Sequence, residues 1–186
     1  MSAERGGIAY DVSVELPDLR TRKRLVVAGI DPGTRVMGFG VVGRVGGRVI
    51  RVDHGAFRPP RDGDVGARLF SLFTSLRALV GHHKPDLLSL EKTFFAKNAQ
   101  STLRIGEARA IVLLVAEEAG IPVLEYPPTV AKRAVTGSGA ADKPTVARMV
   151  AADLGLAELP QPHDAADALA LALCALRDPR LDPRFR

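Results

Sequence analysis

A single cysteine, Cys174, leaves the chain without an internal disulfide and without the thiolate set of a structural zinc site. It lies inside "DALALALCALR", where it reads as a small buried hydrophobe. No apolar run approaches the roughly 18 residues that span a bilayer, which excludes a membrane helix. The opening "MSAERGGIAYDVSVELPDLRTRKR" lacks the continuous apolar block of a signal peptide, so a cytoplasmic location is expected. Internal repeats and low-complexity linkers are absent as well. At 186 residues the chain then suits one domain with a sizeable core.

What is present is ordinary for a globular chain: 46% hydrophobic and 25% charged residues. The charge is not balanced. A net charge of +5 and a pI near 9.8 favour a polyanionic partner, nucleic acid foremost, although some basic proteins bind nothing anionic. Residues 1–24 carry no sustained period and end in "RTRKR"; they are expected as a flexible basic extension, either solvated or touching phosphate.

From Leu25 the pattern becomes regular. Three β segments, 25–31, 36–44 and 48–57, follow closely, with Gly46 and Gly47 at a tight hairpin. Leu69, Leu72, Phe73, Leu76, Leu79 and Val80 then recur at helical spacing, and Gly81 and Pro85 bracket the expected stop. "DLLSLE" reads as a short buried strand ending at Glu91. "NAQSTLRIGEARAIVLLVAEEAG" reads as a long helix closed by Gly120, "IPVLEY" as another strand, and three helices begin near Pro128, Pro144 and His163. An antiparallel three-strand meander followed by strands alternating with helices predicts an α/β fold, a mixed sheet covered on both faces.

The acids fall at informative places. Asp31 and Glu91 each close a strand, and active sites of open α/β sheets gather at the carboxyl ends of strands. Asp164 and Asp167 are three apart and share one face of a helix start. Each also has a structural explanation. Asp31 before Pro32-Gly33 suits a turn, Glu91 a solvated strand end, and Asp164 and Asp167 a helix cap and a first-turn acid. Convergence of all four would change the balance. Carboxylates about 4 Å apart repel by roughly 4 kcal/mol per pair at an effective dielectric near 20, whereas a helix N-terminus returns about 0.3–1 kcal/mol. Protons or cations must then enter, and all-oxygen ligands suit Mg²⁺ or Mn²⁺.

"GIDPGTRVMGFGVV", "LEKTFFAKNAQSTLRIGEARA" and "HDAADALALAL", in this order and spacing, resemble the RuvC family of Holliday-junction resolvases over roughly residues 25–177. The resemblance implies an RNase H-like nuclease domain over 25–177, followed by a basic tail, 178–186. It further implies a homodimer that resolves four-way DNA junctions by paired symmetric nicks, with Mg²⁺ as cofactor (two ions per site, Mn²⁺ substituting), and a branch-migration helicase as partner. The family's catalytic and metal-binding acids fall on Asp31, Glu91, Asp164 and Asp167, with His163 a further candidate ligand. Phe94 matches an aromatic that stacks on a base near the junction centre, and Lys132 and Lys143 match DNA-contacting lysines.

Beside that resemblance, Lys97, Arg133 and the loop Gly137-Ser138-Gly139 add basic and backbone N–H groups suited to phosphate. Arg104 and Arg109 read equally as helix-surface charge. Of the adjacent Phe94 and Phe95, one is expected in the core and the other, Phe94, exposed for stacking. Tyr126 and Glu125 read as an ordinary strand end, and His82 and His83 as complements to a helix dipole. Two other functions fit parts of the sequence. "GIDPGT" also opens sugar kinases and actin-like ATPases, which need a second phosphate loop that is missing here. A non-catalytic junction-binding module would use the basic helices alone.

Overall fold

The alternation read from the strands is realised in a computed structural model that describes residues 23–92 and 99–181. Its elements are β1 (Arg24–Asp31), β2 (Met37–Val45), β3 (Arg48–Phe57), α1 (Val65–His83), β4 (Leu87–Glu91), α2 (Ala99–Ala119), β5 (Val123–Tyr126), α3 (Pro128–Thr136), α4 (Lys143–Leu154) and α5 (His163–Leu176). The sheet order is β3-β2-β1-β4-β5. β1, β2 and β3 form the expected antiparallel meander, while β4 and β5 pair parallel to β1 and to each other. Gly46 and Gly47 both adopt positive φ at the β2–β3 hairpin, as the sequence predicts.

Successive side chains of a strand point to opposite faces, and this sorts the core. Val26, Ala28 and Ile30 of β1 and Leu88 and Leu90 of β4 pack under α1 and α2. Leu25, Val27 and Leu87 pack under α3, α4 and α5. By the same alternation Gly29 and Asp31 of β1, and Ser89 and Glu91 of β4, face α5.

α5 lies unusually close to the sheet, and two glycines make that possible. A Cβ on Gly29 would sit 2.0 Å from the Ala168 carbonyl oxygen, and one on Gly38 would sit 2.2 Å from that of Asp164. The alanines of α5 (165, 166, 168, 170, 172 and 175, all buried) complete the fit. The buried Ser89 hydroxyl donates to the Leu171 carbonyl at 2.8 Å, tying β4 to the helix. Two strand residues rise about 6.7 Å and four helical residues about 6 Å. Glu91, two beyond Ser89, and Asp167, four before Leu171, are therefore brought to the same level.

α1 stops between Gly81 and Pro85 as expected; the helix runs to His83 and closes at Lys84, φ 46°. A mid-helix glycine costs about 1 kcal/mol, which burial of Leu72, Leu76, Leu79 and Val80 outweighs. Gly120 closes α2 as predicted, with positive φ and the Ile121 N–H on the Ala116 carbonyl. His83 meets Asp53 of β3 at 3.0 Å. Tyr126 is buried, and its hydroxyl donates to Asp178 at 2.8 Å. Asp178 also pairs with Arg180, while Leu181 is buried and its carbonyl accepts from Arg44. The first residues of the expected tail are thus packed on the domain. Glu125 forms an ion pair with Arg109 of α2.

The glycine contact at the helix start is directly testable. Gly38→Ala forces backbone apart and should cost about 1–3 kcal/mol, read as a lower melting temperature. Gly43→Ala on the same strand meets only side chains, none nearer than 3.5 Å, and should melt near the parent. Equal melting of the two variants would contradict this packing.

Candidate active site

Ile30 of β1 is the register partner of Leu90 of β4, so Asp31 and Glu91 end neighbouring parallel strands one residue further on. Asp31 also pairs with Gly38, the residue on which the Asp164 backbone rests. The N-terminus of α5 is thereby set over the same sheet edge. Asp31, Glu91 and Asp167 line one cleft of about 290 Å³ with Lys132 of α3, Lys143 of α4, Pro128, Ala131 and Val146.

The capping explanation for the two α5 acids does not describe what they do. The N-cap is Pro162, without a side-chain cap bond; Asp164 stands in the first turn and Asp167 lies beyond it, turned to the cleft. Asp167 accepts from the Lys143 ammonium at 2.6 Å.

The electrostatics register the crowding. Burial, then the charges of Asp167 and Glu91, push the Asp31 carboxyl up from 3.8 to about 7 against the opposing pull of Lys143. Burial and Asp167 raise Glu91 as well, while Lys143 and Lys132 draw it down. Lys143 is raised in turn, first by its hydrogen bond to Asp167. The cleft is a cluster of acids with one directly bonded ammonium, that of Lys143, and the charge of Lys132 beside it.

Not every predicted residue enters it. Asp164 reaches Asp31 only through the weakest of the charge interactions and does not line the cleft. His163 is exposed at the first position of α5 and also stands outside. Arg133 is exposed on α3, away from the cleft. Two N–H groups of the Gly137-Ser138-Gly139 loop are spent internally: Gly137 bonds the Arg133 carbonyl and Ser138 the Thr136 hydroxyl. Phe94, Phe95 and Lys97 lie outside the described residues. Among the described residues no three carboxylate, histidine or cysteine side chains are already gathered as ligands of one ion.

Two contributors escaped the sequence reading. Ser89 and Gly38 touch no substrate yet set where α5 lands. The signal for Ser89 was a lone polar residue in a buried strand, two before the acid. That for Gly38 was a small residue facing a helix of alanines.

The family model described as Crossover junction endodeoxyribonuclease RuvC matches residues 27–175. The chain belongs to the RuvC family. Crossover junction endodeoxyribonuclease RuvC from Chloroflexus aggregans is 49% identical over 146 residues, 78% of this chain and 89% of the relative. That from Rubrobacter xylanophilus is 42% identical over 156 residues, 84% and 87%. Among solved structures, Thermus thermophilus RuvC superposes with a TM-score of 0.74 at 35% identity, covering 81% of this chain and 92% of that one. The T. thermophilus RuvC complex with a Holliday junction substrate gives 0.73 at 32% identity, with the same coverage. RuvC membership bears out the RNase H-like reading of the mixed sheet.

The raised Asp31 carboxyl predicts a pH signature. Its proton is held more tightly in the folded than in the unfolded chain. The associated stability is therefore complete below about pH 4 and is lost as pH rises through about 7. Without divalent ions, Asp31→Asn should melt about 5 °C above the parent near pH 8, the difference shrinking toward pH 4. A variant that melts below the parent near pH 8 would contradict the charge crowding.

Proposed function

We propose that this protein is a structure-selective DNA endonuclease that resolves four-way junctions by paired, symmetric nicks, using divalent cations held by Asp31, Glu91 and Asp167. The observation that carries the reading is the meeting of these three acids with Lys132 and Lys143 in one cleft, in a chain of the RuvC family.

The cleft fits hard cations on its own chemistry. Its donors are all carboxylate oxygens, and their protonation is driven upward for want of positive charge. Mg²⁺ is usually held by one or two carboxylates together with substrate phosphate and water, rather than by a closed protein cage, which suits a site with no ready three-ligand cluster. Asp31, Glu91 and Asp167 would hold two Mg²⁺ or Mn²⁺ ions, which would supply Lewis-acid activation of a water for in-line displacement at phosphorus.

The protein's own part is placement. β1 and β4 hold Asp31 and Glu91 rigidly, and α5 presents Asp167 from above. Lys143, bonded to Asp167, and Lys132 line the same cleft and would meet the substrate phosphate there. Asp164 supports the cluster electrostatically from the first turn of α5, with His163 beside it as an outer candidate. Phe94, Lys97 and Arg133 are the further DNA-contacting residues of this reading.

Paired nicks call for two equivalent centres, hence a homodimer. Leu103 and Leu114 of α2, 64% and 63% exposed, lie with Gly106 and Ala110 on one helical stripe suited to a second copy. A branch-migration helicase is the expected further partner. The reading places the protein in the cytoplasm with DNA, and no helix among the described residues is long and apolar enough to cross a membrane.

With Mg²⁺ the protein should nick a four-way junction at symmetric positions and spare linear duplex. Asp31→Asn should lower the cleavage rate by at least about a hundredfold, as losses at metal sites do, and leave junction affinity intact in a gel-shift titration. Cleavage by that variant at the parent rate would overturn the assignment.

A further inference from the structure

A second cleft, of about 500 Å³, lies at the same sheet edge on the side of α1. It is lined by Arg35, Val36, Arg58, Pro59, Pro60, Arg61 and Arg68. The four arginines come from three segments: the turn after Asp31, the loop leaving β3, and the first turns of α1. Phe57, just before Arg58, pairs with Met37 of β2, and Gly38 pairs with both Asp31 and Ala56. The cleft therefore stands about two strand spacings, roughly 10 Å, from the acids.

Its four guanidinium groups stand near two carboxylates in sequence, Asp62 and Asp64, without pairing to either. Among the described residues none of the four guanidinium groups has an ion pair with a carboxylate, and the Arg68 Nε is buried without a hydrogen-bond partner. The nearby Asp64 is engaged at the α1 N-cap, accepting from Ala67 N–H at 2.7 Å. Converging guanidinium groups repel one another, and each is shaped to receive phosphate oxygens bidentately. The N-terminus of α1 adds its positive end to the same place. Pro59 is buried and Pro60 lies beside it, an apolar wall matching the sugar rather than the phosphate.

The geometry points to a phosphate-binding site for DNA: Arg35, Arg58, Arg61 and Arg68 hold the sugar–phosphate backbone of the junction outside the linkage that the acid cleft cuts. The inference rests on the nuclease reading and deepens it. The four arginines act as positioning residues, fixing the approach of the strand to Asp31 across the β2–β1 edge. Backbone contacts of this kind set register and carry no sequence information.

The test is the salt dependence of junction binding, measured by fluorescence anisotropy without divalent ions. Each lost phosphate contact should reduce the slope of log affinity against log salt by about 1. Arg35→Ala and Arg58→Ala should each do so, and the double variant should lose about 2. Arg48→Ala, at the hairpin end of β3, should keep the parent slope. Arg35 and Arg58 are exposed, so both variants should melt with the parent; Arg68→Ala serves as a third reading. Parent slopes in the Arg35 and Arg58 variants, in a protein whose parent form binds and cuts junctions, would overturn the cleft and leave the nuclease reading standing. Failure of the parent to bind junctions would sink both. If the variants keep the slope but lose thermal stabilisation by pyrophosphate, the cleft serves a small anion and the DNA assignment is wrong.

Discussion

Like charges held near one another away from water set the terms for this fold. Asp31 and Glu91 have little freedom, because each ends a strand whose preceding residues are buried on both faces. Asp167 comes to them on a helix that packs against bare backbone at Gly29 and Gly38. The resulting repulsion is tolerated because the hydrophobic packing of α5 exceeds it. Ten of the eleven residues from Ala165 to Ala175 are buried, and the exception is Asp167, which opens to the cleft. Stability is spent at one sheet edge so that cations become the natural counterpart of the site.

The two faces of the sheet divide the work. On the α5 side, carboxylates gather around a narrow cleft with two lysines near its rim. On the α1 side, arginines gather around a larger one, with no acid paired to them among the described residues. A polyanion laid along the edge meets attraction on one side and a demand for bridging cations on the other. Such a layout converts a general basicity into a direction of approach, which net charge alone does not specify.

Much of this was legible in the residues. The meander followed from three short β runs and the Gly46-Gly47 turn, and the acids were visible as polar endings to apolar strands. The family resemblance pointed to four acids, and three of them, Asp31, Glu91 and Asp167, line one cleft. The end of α1 was legible too, falling at His83 between Gly81 and Pro85, but the left-handed closing residue, Lys84, carried no glycine signal. What stayed hidden depended on contacts between distant segments. Tyr126 does end a strand as read, but the burial of its hydroxyl was hidden because its partner, Asp178, lies 52 residues away. The arginine cleft joins residues from 35 to 68 that show no common period. Asp164 was grouped with Asp167 by spacing, and the packing of α5 separates their roles: one lines the cleft, the other stands at its border.

Anomalous diffraction from a crystal soaked in Mn²⁺ tests the central claim most directly. The account predicts metal density in the cleft between Asp31, Glu91 and Asp167, with the Lys143 ammonium moved off Asp167. Density only at other sites, with the Lys143–Asp167 pair intact under saturating Mn²⁺, would contradict it.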